Sequence, residues 1–218
     1  MLINGANLEP HLSGALWWEE RRVLAVADLH LEKGSSFARS GRLLPPYDSR
    51  ETLRRLSELI ELYRPATVLA LGDSFHDPAA IDRLAEADRQ SLTRLTAERD
   101  WIWVSGNHDP APPRSIGGTA MACFTLGPLV FRHEADHRGG AGEVSGHYHP
   151  KASLTVRERR ITGRCFVADA RRVILPAFGA YAGGLDVRDT AIRRLFGREA
   201  EVHVLGRASV VRLPLSAL

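Results

Sequence analysis

The sequence predicts an α/β (α+β) chain built as two packed β-sheets with helices outside them. Three observations point there. The first half alternates short apolar strands with amphipathic helices, and the second half, from about Thr119, runs as short strands between turn signals. Each strand of the first half also ends in a tight cluster of polar residues, as the carboxyl edge of a parallel sheet does when it forms a binding crevice.

The elements follow in order. Ala15 to Trp18 and Arg22 to Ala27 flank a charged Glu-Glu-Arg turn, the pattern of a hairpin feeding a buried strand. Asp48 is a good N-cap for a helix whose apolar face is Leu53, Leu56, Leu59, Ile60 and Tyr63, and Pro65 stops it. Thr67 to Leu71 reads as a buried strand, Pro78 to roughly Glu98 as a helix with Ile81, Leu84, Leu92 and Leu95 inward, and Trp101 to Val104 as the next strand. The β-rich half offers strands at Ala120 to Leu126, Leu129 to Arg132, Ser153 to Arg157, Arg164 to Ala168, Val173 to Leu175, Glu201 to Leu205 and Ser209 to Leu213. A short helix fits Thr190 to Phe196.

At 218 residues, 44% hydrophobic and 25% charged, the chain can bury roughly 70% of its unfolded surface, which excludes a disulfide-stapled miniprotein and a disordered tail. The length, with no Ser, Gly or Pro-rich linker, favours one domain over 1–218. Apolar runs as short as Val23 to Ala27 exclude a membrane span, and the absence of a basic-then-apolar leader favours the cytoplasm. Cys123 and Cys165 are in no CxxC pair and read as reduced core residues or as one bridge.

Net charge is only +3, yet residues 150–218 carry thirteen basic and six acidic side chains, so positive potential gathers late in the sequence and suits a polyanionic partner. Of the 29 basic residues 27 are Arg, the exceptions being Lys33 and Lys151, so the asymmetry also fits a mere composition bias.

The polar clusters are Asp28-Leu29-His30, Gly72-Asp73 and Gly106-Asn107-His108-Asp109. The β-rich half adds Arg132-His133-Glu134 and Gly146-His147-Tyr148-His149. Asp, Asn and His without Cys suit Mn, Fe or Zn rather than Ca or a thiophilic metal. The candidates are too many for one ion, and a two-ion site needs a bridging carboxylate, for which Asp73 on its Gly-Asp turn is the choice.

In that order these blocks resemble the calcineurin-like metallophosphoesterases, whose motif runs D-x-H, GD, GNH[DE], H and GHxH. The resemblance covers Asp28 to His149 and implies a double β-sheet sandwich flanked by helices, a four-layer αββα fold. It implies one ion on Asp28, His30, Asp73 and His149, and a second sharing Asp73 with Asn107, His133 and His147, leaving His108 beside the substrate. His137 also falls in the gap, but His133 directly follows a predicted strand and is favoured. Stretches such as ADLHLEKGSSFARSG, LGDSFHD, VSGNHD, SGHYHPK and LPAFGAYAGG are similar to the ligase-associated DNA damage response endonucleases, the PdeM family. That similarity implies Mn as the ion, DNA as substrate, and a helicase, an exonuclease and a DNA ligase as partners.

Two divalent ions against Asp28 and Asp73 leave the centre at about +2, a site that wants an anionic phosphodiester and a hydroxide. The expected reaction is in-line attack by a metal-bridging hydroxide, with His108 protonating the leaving oxygen and Asp109 orienting the His108 ring. Asp109 also reads as a turn residue before Pro110. His76 reads as a substrate contact or as a plain surface histidine. Lys33, Arg39 and Arg42 read as phosphate contacts or as solvated charges. Trp17, Trp18, Trp101 and Trp103 read as core rather than base-stacking platforms. The alternatives to a DNA endonuclease are a phosphomonoesterase or cyclic-nucleotide phosphodiesterase acting on small molecules or phosphoproteins, and a non-enzymatic repair-complex scaffold.

Overall fold

The structure, a computed structural model, describes residues 1–45, 47–111, 113–156 and 159–218. Its first sheet runs Glu9–Pro10, Leu16–Trp18, Val23–Val26, Thr67–Leu71, Asp100–Val104, Thr119–Met121, and the last four of these strands are mutually parallel. The second runs Val210–Pro214, Glu201–Leu205, Arg159–Ala168, Arg172–Ile174, Glu143–Ser145, Leu129–Arg132, Cys123–Leu126, with Lys151–Val156 paired onto Arg159–Ala168. Within it, Leu129–Arg132, Glu143–Ser145 and Arg172–Ile174 are also parallel. Both sheets therefore present a carboxyl edge, and an isolated bridge from Ala27 to Ala177 joins them beside it.

The two-residue period of the strands divides their side chains between layers. Leu24, Val26, Val68, Ala70, Trp101 and Trp103 face Leu53, Leu56, Leu92 and Leu95 of the helices Asp48–Tyr63 and Glu86–Ala97. Val23, Ala25, Leu69, Leu71, Ile102 and Val104 meet Phe131, Val144, Phe166 and Val173 of the second sheet. Cys165, Val167, Ile174, Val202 and Val204 line the far side of that sheet with Ile192 and Leu195, at the helix Thr190–Arg193. Three apolar layers make the expected four-layer αββα sandwich. All four tryptophans are buried in it. Trp103 is 1% exposed and donates Nε1–H to the Gly117 carbonyl at 2.9 Å, so Trp103→Ala should lower stability by about 3–5 kcal/mol in urea unfolding.

Several predicted elements differ. The helix from Pro78 to Glu98 is two, Ala80–Arg83 and Glu86–Ala97, because Leu84 turns to extended backbone and the Arg89 side chain takes the Ile81 carbonyl that the break frees. The strand from Ala120 to Leu126 is also two, since Thr119–Met121 closes the first sheet and Cys123–Leu126 opens the second. Asp48 does not cap its helix. Tyr47 holds the N-cap position, while Asp48 Oδ2 accepts from Gly34 N at 3.0 Å and ties that helix to the helix Lys33–Arg39, which the sequence reading lacked. The two cysteines form no bridge, and Cys123 is exposed rather than core. The Ser153 to Arg157 strand is Lys151–Val156, and residue 157 lies outside the described residues. Among the described residues no helix is long and apolar enough to cross a membrane.

Candidate metal centre

The site forms where the carboxyl edges of the two parallel trios meet. From the first sheet come Asp28, Asp73 and Asn107, just beyond Val23–Val26, Thr67–Leu71 and Asp100–Val104. From the second come His133 beyond Leu129–Arg132 and His147 beyond Glu143–Ser145. The backbone there is strained: Asp28, His30, Asp73, His147 and His149 all have positive φ, between 44° and 70°. Side chains other than glycine adopt that region at a cost, and such residues gather where a site over-determines them.

The ligand atoms form two lobes, one with Asp28, His30 and His149 and one with Asp73, His133 and His147, and His76 and His108 also come within ligand spacing of His30. In one, His149 Nε2 is 3.4 Å from Asp28 Oδ1 and 3.3 Å from His30 Nε2. In the other, His133 Nε2 is 3.4 Å from Asp73 Oδ2, 2.8 Å from Asn107 Oδ1 and 3.1 Å from His147 Nδ1, which itself lies 3.1 Å from Asn107 Oδ1. Donor atoms bound to one ion at about 2.1 Å sit roughly 3 Å apart, so both lobes have the spacing of a coordination shell.

Proton placement supports the same conclusion. A carbonyl can only accept, so at 3.0 Å from the Leu71 carbonyl the His133 Nδ1 carries the proton and donates it, leaving the Nε2 lone pair aimed at the oxygens of Asn107 and Asp73. Lone pairs converging on lone pairs fit a cation, and a ring held by a backbone carbonyl is a typical outer support of a ligating histidine. Burial, then the neighbouring His149, pushes the His30 pKa down to about 2, so its lone pair stays free at any working pH. Burial also lowers the His147 pKa, with His133 adding to it.

Gly106 and Gly72 are where this packing leaves no room. A Cβ on Gly106 would collide with the Asp73 amide nitrogen and Oδ1, and one on Gly72 with the His133 ring. Gly106→Ala should therefore weaken metal affinity, checked by metal titration alongside a melting curve that separates loss of binding from loss of fold.

The structure brings Asp28, His30, Asp73, Asn107, His133, His147 and His149 together. His137 lies apart, exposed, with Arg194 donating to its Nε2 at 3.0 Å. His108 donates its backbone N–H to Asp73 Oδ1 at 2.9 Å, and its Nε2 stands 4.0 Å from Asp73 Oδ2, close to both lobes. Asp109 does not orient the His108 ring. Its Oδ2 accepts from the amides of Ser74 and Phe75 at 2.8 and 3.1 Å, fixing the loop that follows Asp73. The His76 carbonyl holds the ring instead, accepting from His108 Nδ1–H at 2.8 Å, and the His76 ring stacks on His108 at 5.1 Å. A backbone acceptor leaves no residue-type signal, so sequence reasoning could find His76 only as an unexplained histidine after the Gly-Asp turn.

Burial pushes the Asp109 pKa up to about 6, although the amides oppose it. The folded protein thus holds that proton to a higher pH than the unfolded chain does. Stability contributed by the protonated form is present below about pH 4 and is lost as pH rises to about 6, by about 3 kcal/mol. Denaturation of metal-free protein across that range should show the loss, and Asp109→Asn should remove it.

A cavity of about 450 Å³ opens on the Asn107 and His133 side, lined by Ser105, Ala122, Cys123, Arg132 and Glu134 as well. It offers a substrate a route to the second lobe.

The calcineurin-like phosphoesterase profile matches residues 21–179, which contain every residue of both lobes. A crystal structure of Pseudomonas putida nuclease MPE superposes with a TM-score of 0.75 at 26% identity, over 98% of each chain. A phosphoesterase from E. coli, Yfce, gives a TM-score of 0.45 at 14% identity, over 88% of this chain and 98% of that one. No curated protein sequence matches the chain. With the profile covering most of the length and its motif residues converging at one sheet edge, the chain belongs to the calcineurin-like phosphoesterase family, metal-dependent enzymes that hydrolyse phosphoesters.

Proposed function

We propose that the protein is a binuclear, Mn-dependent phosphodiesterase that cuts DNA internally, in DNA repair. The observation that carries this reading is the pair of ligand groups, Asp28 with His30 and His149 and Asp73 with His133 and His147, with His108 beside Asp73 and its ring held by the His76 carbonyl. The 26% identity to a nuclease along the whole chain favours a nucleic-acid diester over a small monoester. Helicase, exonuclease and ligase partners belong to the same proposal, on the family resemblance alone.

When bound, a pair of divalent ions supplies electrophilic activation of phosphate oxygens and acidifies water by several pKa units. The chain's own contribution is positional. Asp28 and Asp73 supply two negative charges, which leave a doubly cationic centre for an anionic diester. His133, fixed by Leu71, and Asn107 define one lobe, and His30 and His149 the other. His108, with its Nδ1 proton committed to the His76 carbonyl, presents Nε2 toward the site, and from there it protonates the departing oxygen when the ring is charged.

The test is Mn-dependent nicking of closed circular single-stranded DNA by wild type and by Asp73→Ala, prepared identically. Cleavage by wild type alone is the expected result. Equal cleavage by both would mark a contaminant. No cleavage by either, with hydrolysis of p-nitrophenyl phosphate or a cyclic nucleotide by wild type, would replace the DNA reading with a small-phosphoester one.

A further inference from the structure

The chain uses arginine for 27 of its 29 basic side chains, and its two lysines both closely follow metal-centre histidines in the sequence. Lys33 follows His30 by three residues and Lys151 follows His149 by two, and the Nε2 atoms of those histidines are 3.3 Å apart. The two lysines come from separate segments and are near enough for the charge of Lys151, like those of Asp28 and Asp73, to act on Lys33. Each is partly buried, and among the described residues neither meets a carboxylate oxygen within 4 Å. Burial makes the Lys33 ammonium easier to deprotonate; Asp28, Asp48 and Asp73 oppose that, and the charge of Lys151 adds to it.

Both stems are held. Lys33 Nζ lies 5.8 Å from the Phe37 ring, which is 5.7 Å from the ring of His76, itself stacked on His108. Lys151 runs across Gly184, where an added Cβ would come within 3.1 Å of its Cγ and Cε. Its backbone is fixed at both ends, by Leu185 O at 2.8 Å and Val187 N at 2.9 Å. Two half-buried ammonium groups that repel one another are costly in the free protein. Arg172, by contrast, is paired with Glu143 at 3.5 Å. Two neighbouring cations with no carboxylate in contact favour an anion between them, and a lysine ammonium binds phosphate as a compact point charge.

We propose that Lys33 and Lys151 form a subsite for a second phosphate, the one next along the strand from the phosphate held at the metal centre. It rests on the nucleic-acid reading above. The subsite makes the enzyme prefer substrates with consecutive phosphates over isolated phosphoesters.

The test is calorimetric titration of the Mn-loaded protein with thymidine 5′-monophosphate and with thymidine 3′,5′-bisphosphate, for wild type and for Lys33→Met/Lys151→Met. Methionine keeps the apolar stem, and a melting curve with a metal assay verifies fold and loading. Wild type should favour the bisphosphate by roughly tenfold or more, the scale of a charge-assisted contact, and the double variant should bind the two ligands alike. A preference that survives in the variant, one absent from wild type, or an equal loss for both ligands would overturn the proposal. The outcome is separable from the DNA reading: failed nicking with an intact preference removes DNA but keeps the subsite, and nicking without a preference does the reverse.

Discussion

Asp73→Asn should abolish hydrolysis, by about 10³-fold or more in kcat, or at least about 4 kcal/mol of barrier. Asparagine tolerates the left-handed backbone at this position, where φ is 47°, as well as aspartate does. Its Oδ1 can still accept from the His108 amide, so the fold of the loop survives. What the substitution removes is the negative charge between the lobes, 3.4 Å from His133 Nε2 and 4.0 Å from His108 Nε2. Metal content measured on the purified variant should fall from two ions per chain to one or fewer. Full activity in Asp73→Asn would show that neither lobe depends on a shared carboxylate.

His108→Ala should behave differently. If its ring serves as general acid and not as a ligand, metal content should stay at the wild-type level, while turnover on DNA falls by about 10²–10³-fold. The loss should depend on the leaving group. An alkoxide needs the proton and a p-nitrophenolate does not, so bis(p-nitrophenyl) phosphate hydrolysis should fall by less than about tenfold. An equal loss on both substrates would assign His108 to phosphate binding instead, and loss of metal would make it a ligand.

Much of the site was legible because parallel sheets carry their chemistry at strand ends, and strand ends are marked by an apolar run stopping at Gly, Asp or His. Thr67–Leu71 followed by Gly72-Asp73 is the clearest case. His133, one step beyond a strand, has a fixed position beside Asp73 and Asn107, whereas His137 sits where Arg194 can reach it. Other features were hidden. The break at Leu84 and the passage between sheets at Ala122 are hidden because apolar residues recur on both sides, Ile81 and Leu92 around the first and Met121 and Phe124 around the second. Asp109 was misread because two backbone amides compete for its carboxylate, and amides leave no mark in a sequence. The left-handed backbone at Asp28, His30, His147 and His149 was unreadable too, as it is imposed by convergence of the two sheets and not by local preference.

The proposed function needs two ions, one in each lobe, with Asp73 shared between them. Anomalous scattering at the manganese edge, from crystals grown with Mn, tests it most directly. Two peaks about 3.5 to 4 Å apart are expected, one against Asp28, His30 and His149 and the other against Asn107, His133 and His147. A single peak, or a peak held by His76 and His108, would contradict it.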